Sequence, residues 1–168
     1  MTADEFQKKQ YDLSVTAGMN QRYHQRRAGR FAWWDRGFRV GIGVLSAVSA
    51  GLAVAAANNS VSHVEGYSVA IAIVVAGIGA TLNVLPFGDW EKSHVDLFRR
   101  WTDLREEVDA LLYHTNGEPS AFVISRLKEL DGKLHRICGM EPACKTKLLD
   151  ECHRAEERSR GVDAACAA

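Results

Sequence analysis

The sequence predicts an all-α membrane protein with a long N-terminal helix, a two-transmembrane helical hairpin and a cytoplasmic C-terminal helical hairpin. Two observations lead to this prediction: two uncharged apolar segments lie close together, and nearly every charged residue lies before or after them. The whole-chain composition hides this segregation, because 21 basic and 21 acidic residues cancel. A net charge of zero gives no indication of nucleic-acid binding. The two apolar segments make the lipid bilayer the expected partner.

Both apolar segments have the length of transmembrane helices. Residues 40–57 carry no charge and would extend about 27 Å as a helix. Residues 66–88 are also uncharged and are the stronger candidate, because they hold more large aliphatic side chains. The alternative is a buried helix pair in a soluble bundle, which is disfavoured because surface helices need a polar face.

The flanking residues predict the orientation of the hairpin. Arginines are concentrated in residues 22–39 and basic residues resume at Lys92, whereas residues 58–65 contain neither Lys nor Arg. By the positive-inside rule both termini of this multi-pass membrane protein are expected to be cytoplasmic, with the connecting loop on the outer side. The aromatic residues expected at the membrane–water interfaces are Trp33, Trp34, Phe38, Phe87, Trp90 and, on the outer side, Tyr67.

Small residues recur every four positions along both spans and predict close helix packing. We call them the small-residue rows: Gly43, Ala47, Gly51 and Ala55 in the first span, and Ala72, Ala76 and Ala80 in the second. Such rows let two backbones approach closely in lipid, where apolar burial alone gives little driving force. The pattern leaves open whether the partner helix lies in the same chain or in another subunit of a homo-oligomer.

The spans contain few polar side chains, and four of them are candidate pore-lining residues: Ser46, Ser49, Thr81 and Asn83. Ser46 and Ser49 lie one turn apart, so one hypothesis is that they line a water-filled path in an oligomer. The alternative is that the hydroxyls bond their own preceding backbone carbonyls and that Asn83 bonds a neighbouring helix. A proton relay or coupled transporter is not expected, because neither span contains Asp, Glu, Lys, Arg or His.

Two amphipathic helices are predicted after the second span, one capped by Asp89 and one by Ser120, with a turn over residues 115–119. Their apolar residues recur at spacings of three and four and form a seam, which packs either between antiparallel helices or between subunits. The seam residues are Leu97, Trp101, Leu104, Val108, Leu111, Val123, Leu127, Leu130, Leu134 and Ile137. A third, weaker helix is expected after Pro142.

These patterns give four predicted domains. They are an N-terminal cytoplasmic amphipathic helix over 1–39, a hairpin over 40–88 with spans 40–57 and 66–88 joined by loop 58–65, a cytoplasmic helical segment over 89–160, and a disordered tail over 161–168.

No catalytic or metal site is expected. The cysteines and nearby histidines lie in one stretch: His135, Cys138, Cys144, Cys152, His153 and Cys166. Their spacing does not preset a tetrahedral zinc site, so buried, reduced thiols without a cofactor are predicted. The chain also has no phosphate-cradling loop, nucleophile elbow or HExxH motif, so we do not expect an enzyme.

A few residues give the architecture a family likeness. They are Tyr23-His24 with Arg26, Arg27 and Arg30 before the first span, Leu45-Ser46-Ala47 within it, and Pro86 at the end of the second. Over residues 6–134 this pattern resembles the SLATT family, two-transmembrane effector domains that associate with SMODS and SLOG proteins in bacterial conflict systems. Residues beyond about Gly139 have no counterpart in the resemblance.

The resemblance implies a membrane effector that oligomerises and forms a gated pore in the inner membrane, as part of anti-phage defence. It also implies a partner that makes or senses a nucleotide second messenger. Two alternatives stay open at this stage: a non-pore anchor or scaffold whose cytoplasmic helices recruit a partner, and a holin-like phage protein.

Overall fold

The computed structural model describes residues 1–57, 64–112 and 119–161, and its regular structure in these ranges is entirely helical. The helices are α1 (Ala3–Ala57), α2 (Val64–Val84), α3 (Phe87–Leu112), α4 (Ala121–Cys138) and α5 (Thr146–Ser159). The all-α prediction is therefore confirmed. The predicted loop over 58–65, the turn over 115–119 and the tail over 161–168 lie largely outside the described residues.

The helix ends show which sequence signals set them. Thr2 and Glu5 cap α1 reciprocally: the Thr2 N–H donates to Glu5 Oε2 (2.8 Å) and the Glu5 N–H donates to Thr2 Oγ1 (3.2 Å). Ser120 caps α4 as predicted, because its side chain accepts from the Val123 N–H. The predicted cap at Asp89 is wrong, since α3 already begins at Phe87 and the Pro86 carbonyl accepts the Asp89 N–H (3.1 Å).

The described chain divides into two compact units. The first unit comprises residues 1–27 and 93–161, and the second comprises residues 28–92. Helix α1 contributes its N-terminal part to the first unit and the rest of its length to the second.

The predicted seam forms the hydrophobic core of the first unit. Nine of the ten seam residues are buried and Leu134 is partly buried against them. Helix α1 adds Phe6, Leu13 and Ala17 to the same cluster, a contribution that the seam prediction did not include. The seam side chains are thus covered within one chain, so they offer no exposed apolar strip to a second subunit.

Polar contacts give the helix directions in the first unit. Arg100 Nη1 of α3 contacts Sδ of Met140, which lies just after the end of α4 (3.5 Å), and further along α3 Glu107 pairs with Lys133 of α4. Residue numbers rise along one helix while they fall along the other, so α3 and α4 run in opposite directions. The Gln10 side-chain amide donates to the Val108 carbonyl (3.2 Å), which ties α1 to the same α3 surface.

In the second unit, α1 lies beside α2 and the first turn of α3. Phe38 stacks on Phe87 with ring centroids 5.8 Å apart, and Phe31 meets Trp90 at 5.4 Å. Further along α1, Ser49 Oγ donates to the Ser68 carbonyl (3.3 Å). Partly buried Leu45, Ser49 and Leu52 on α1, and Ile71, Val75 and Ile78 on α2, follow spacings of three and four.

Candidate functional site

The second unit presents apolar side chains that no described part of the chain covers. Val40 is 66% exposed on α1 and Ile73 is 67% exposed on α2. Among the described residues, α1 is the one helix that is long and apolar enough to cross a membrane, and none of its most apolar 18-residue window is buried. Within α2, residues Tyr67–Ala80 form a shorter apolar stretch. An uncovered apolar surface of this kind is typical of a site that contacts protein or lipid.

The small-residue rows lie on this uncovered surface. Gly43, Ala47 and Gly51 are exposed, and a Cβ added at Gly43 or Gly51 would meet no atom within 4 Å. On α2 the alanines of the second row are exposed as well. The first row is displaced by two positions, or about 200° around the helix, from the Leu45–Ser49–Leu52 face that is partly buried. Ala55, the last residue of the first row, is partly buried, but the other six residues of the rows are not covered by any described part of the chain.

The candidate pore-lining residues Ser46 and Ser49 differ in burial and in hydrogen bonding. Ser49 is partly buried and donates its hydroxyl to the Ser68 carbonyl, whereas Ser46 is exposed. The bond made by Ser49 goes to the neighbouring helix, not to its own preceding carbonyl. Thr81 and Asn83 belong to α2, but their side chains lie outside the described part of the structure.

A buried histidine pair joins α1 to α3 in the first unit. His24 is fully buried and His94 is 4% exposed. Their Nδ1 atoms lie 2.8 Å apart. On its other side, His24 Nε2 lies 2.9 Å from Glu141 Oε1, an atom that also accepts the indole N–H of Trp101 (2.7 Å). The two imidazoles and the carboxylate therefore form one hydrogen-bonded chain.

This hydrogen-bonded arrangement restricts how many protons the two imidazoles can hold. One Nδ1 must donate and the other must accept, because two N–H groups cannot face each other at hydrogen-bond distance. Burial, followed by the charges of His24 and Arg27, lowers the pKa of His94 from 6.5 to about 4, although Glu141 acts in the opposite direction. His94 is thus neutral at physiological pH, and the pair is intact in that state.

A buried carboxylate forms a second polar cluster, between α1, α3 and α5. Glu156 is fully buried. Its Oε2 accepts from Arg22 Nε (2.7 Å), and its Oε1 accepts from Arg160 Nε (2.9 Å) and pairs with Arg105 Nη2 (3.1 Å). Burial would raise the pKa of Glu156, but the hydrogen bonds from Arg22 and Arg160 and the charge of Arg105 lower it overall. The group is therefore ionised.

Ser14 and Asp109 extend the Glu156 cluster. Arg160 Nη2 donates to Ser14 Oγ (2.8 Å), and the Ser14 hydroxyl donates to Asp109 Oδ1 (2.6 Å). Gly18 on α1 makes room for the carboxylate, since a Cβ at this position would overlap the Glu156 side chain. A glycine in the middle of a helix is here required by close approach, not by backbone conformation.

The cysteines form no site among the described residues. The prediction of buried thiols is wrong for Cys138 and Cys144, which are exposed, and right for Cys152. Desolvation is the largest cause that raises the pKa of all three thiols, so they are protonated at neutral pH. No group of three or more His, Cys, Asp or Glu side chains in the described ranges is placed to hold a metal ion.

Neither polar cluster was predicted from the sequence, although the sequence contains a signal for the first. On α1 the buried residues Phe6, Gln10, Leu13, Ala17, Asn20 and His24 follow alternate spacings of four and three. Extending the α3 seam backwards by three positions from Leu97 reaches His94. The polar residues occupy heptad positions, which a search for apolar side chains passes over.

No protein-family model matches this chain, and no curated protein or solved structure is significantly similar to it. The resemblance to the SLATT family accordingly stays a prediction from the residues quoted above.

Replacing Gly18 should test the Glu156 cluster. We expect Gly18→Ala to destabilise the protein by about 1–3 kcal/mol, because the new methyl group overpacks against a carboxylate held by three arginines. Alanine normally stabilises a helix interior, so the matched variant Gly132→Ala in α4, where nothing lies within 4 Å, should gain up to about 1 kcal/mol. Thermal unfolding in detergent, followed by circular dichroism, measures both; equal gains would contradict the packing described.

The His94 pKa predicts how stability depends on pH. Because the folded pKa lies below the unfolded value of 6.5, the stabilisation from neutral His94 is fully present above pH 6.5 and is lost as the pH falls to about 4. The loss should reach about 3 kcal/mol. Unfolding midpoints measured across this range should fall less steeply in His94→Gln than in the wild type. Parallel curves for the two proteins would refute this assignment.

Proposed function

We propose that the second unit is a two-span transmembrane hairpin and that the chain is an integral membrane protein. The observation that supports this most directly is the uncovered apolar surface of α1 and α2, exemplified by Val40 and Ile73. Water would penalise that surface at about 25 cal/mol per Å², whereas a bilayer accepts it without cost. Residues 40–57 and 66–88 contain no charged side chain that would oppose insertion.

The contacts between α1 and the α2–α3 segment support a hairpin. Phe38 contacts Phe87, and Ser49, further along α1, contacts the earlier residue Ser68. The apolar part of α1 and the segment it packs against therefore run in opposite directions. The aromatic rings gather at one end of the hairpin: Phe38 also stacks on Trp34 (5.6 Å), and Phe87 meets Trp90 edge-on (5.6 Å). Such a ring cluster beside a basic flank is typical of a membrane–water interface.

The distribution of basic residues supports a cytoplasmic location for both termini. The first unit would then be a cytoplasmic helical domain joined covalently to both spans, through α1 and through α3. In a bacterium this places the chain in the inner membrane.

We further propose that several copies associate in the membrane and form a gated pore. The small-residue rows support this step, because all their members except the partly buried Ala55 are exposed and would let backbones of neighbouring copies approach closely. Ser46, which is exposed beside the first row, is the candidate for the permeation path. The resemblance to the SLATT family adds the biological role, that of a membrane effector in anti-phage defence controlled by a nucleotide-second-messenger partner.

A membrane anchor or scaffold is the second candidate. The observation in its favour is the Ser49–Ser68 bond, which occupies one of the two serine hydroxyls proposed to line the pore. In this alternative the hairpin only holds the cytoplasmic helices at the membrane, where they recruit a partner.

Insertion can be tested with two lysines. Replacing Ile73 and Val74 by lysine should raise the free energy of inserting the second span by about 5–7 kcal/mol. This cost is about as large as, or larger than, the favourable insertion free energy of roughly 3–6 kcal/mol that the span's approximately ten large apolar residues provide. We expect the wild type to resist carbonate extraction and the variant, which keeps only the apolar part of α1 as an anchor, to be extracted to a larger extent. The matched control places both lysines at Ala121 and Phe122, exposed on α4, and should stay in the membrane. A wild type that is itself extracted would refute the membrane assignment.

Dye release from liposomes separates a pore from an anchor. We expect the wild type to release an encapsulated dye, and Ser46→Leu to reduce the release severalfold because it replaces a polar group on the path. Val48→Leu is the control, since Val48 is exposed on the same span and stays apolar. Vesicles that remain tight at every protein density would favour the anchor, and equal release by the two leucine variants would remove Ser46 from the path.

A further inference from the structure

A groove rich in arginine lies between α1 and α5 in the first unit. Its walls are formed by Arg26 of α1 and by Glu151, Arg154 and Arg158 of α5, and it encloses about 480 Å³. Three cationic groups therefore surround one carboxylate. Arg154 and Arg158 are four residues apart and Glu151 precedes Arg154 by three, so all of them lie on one face of α5.

The carboxylate does not neutralise this groove. Arg26 Nη1 lies 3.8 Å from Glu151 Oε2, which is longer than a hydrogen bond. Arg154 Nε donates to the Asp150 carbonyl (3.5 Å) and Arg158 Nε donates to the Arg154 carbonyl (3.2 Å). Within the described ranges, neither of these two guanidinium groups has a carboxylate within 4 Å, so their terminal N–H groups stay available.

The opposite face of α5 holds the groove in place. Cys152 and Glu156 are both buried, and Glu156 is bonded to Arg22 of α1, one turn before Arg26. The buried pair fixes how α5 lies against α1, and with it the separation of Arg26 from the two arginines of α5. A preorganised set of donors loses less entropy on binding than a flexible one.

A second groove of the first unit, between α3 and α4, has a different character. It is lined by both signs of charge, and three of its four cations are paired: Arg100 with Asp96 (2.8 Å), Arg126 with Glu107 (3.1 Å) and Glu129 (2.5 Å), and Lys133 with Glu107. Most of its charges therefore compensate one another within the chain. Of these two grooves, the α1–α5 groove holds more arginines without a carboxylate partner among the described residues.

We propose that the α1–α5 groove binds a phosphate group, carried either by a soluble phosphate compound or by the headgroup of an anionic lipid. Guanidinium groups match phosphate oxygens in charge and in their forked geometry, and several arginines converging on one concavity can share a dianion. Arg26 would exchange its long contact with Glu151 for the phosphate. The proposal concerns the first unit alone and does not depend on a pore or on the hairpin.

The test uses the full chain in a neutral detergent, with inorganic pyrophosphate as the soluble probe, titrated by calorimetry at low ionic strength. Arg154→Gln and Arg158→Gln should each weaken binding about five- to tenfold, because each removes a charge-assisted contact. Glu151→Gln should tighten binding about threefold, since it removes the opposing charge and releases Arg26. The control Arg136→Gln, an exposed arginine outside this groove, should change affinity less than about twofold.

A parallel arm distinguishes the two sources of phosphate. The same variants are reconstituted in nanodiscs of phosphatidylcholine with or without phosphatidylglycerol, and the shift of the unfolding midpoint caused by the anionic lipid is measured. A shift that needs Arg154 and Arg158, without pyrophosphate binding, assigns the groove to a lipid headgroup, and the reverse assigns it to a soluble compound. No response to either probe, or equal losses in Arg154→Gln and Arg136→Gln, overturns the proposal.

Discussion

Helix α1 has to satisfy two different surroundings in one continuous run of backbone hydrogen bonds, and the rest of the structure follows from that constraint. Its N-terminal part is buried by the other helices of the first unit at alternating positions from Phe6 to His24. Its later part, from Val40 onward, is covered only along the narrow face that meets α2. The same helix therefore carries a surface that its own chain buries and, further along, an apolar surface that the described residues leave mostly exposed.

The first unit has many buried polar groups for its size, and these groups define how its helices fit together. A buried charge costs several kcal/mol in desolvation, so the Glu156 cluster gains little net stability over an apolar contact of equal size. What it supplies is selectivity, because only one placement of α5 gives Glu156 its three arginines and brings it next to Gly18. The His24–His94 pair has the same effect on the register of α3 against α1.

The sequence predicted the seam well because apolar side chains at alternate spacings of three and four can be buried in only one way along a helix. Trp101, Leu104 and Val108 are accordingly at the centre of the core. It could not predict that α1 completes this core, because α1 fills its heptad positions partly with Gln10, Asn20 and His24. Contacts between residues far apart in the sequence, such as Arg22 with Glu156, have no local signature at all.

The contact between the two apolar helices shows a second limit of sequence patterns. A row of small residues and a row of larger ones run along α1 in parallel, and both are suitable for packing in lipid. The larger residues Leu45 and Leu52, together with Ser49, are the ones that lie against α2. The choice depends on how the side chains of two helices interdigitate, which periodicity along one helix does not contain.

A fall in pH affects the first unit and the apolar part of α1 differently, because their contents of ionisable groups differ. Between residues 40 and 57 no side chain titrates, so the apolar part of α1 is indifferent to pH. In the first unit, both clusters depend on a protonation state that acid reverses. Neutral His94 is lost between pH 6.5 and about 4, whereas the lowered pKa of Glu156 keeps its charge until the pH falls further below 4.5. On acidification the His24–His94 contact between α1 and α3 therefore weakens before the Glu156 contact between α1 and α5. The imidazole pair shares one proton and is disrupted when His94 gains a second, whereas three guanidinium groups keep the carboxylate ionised to lower pH.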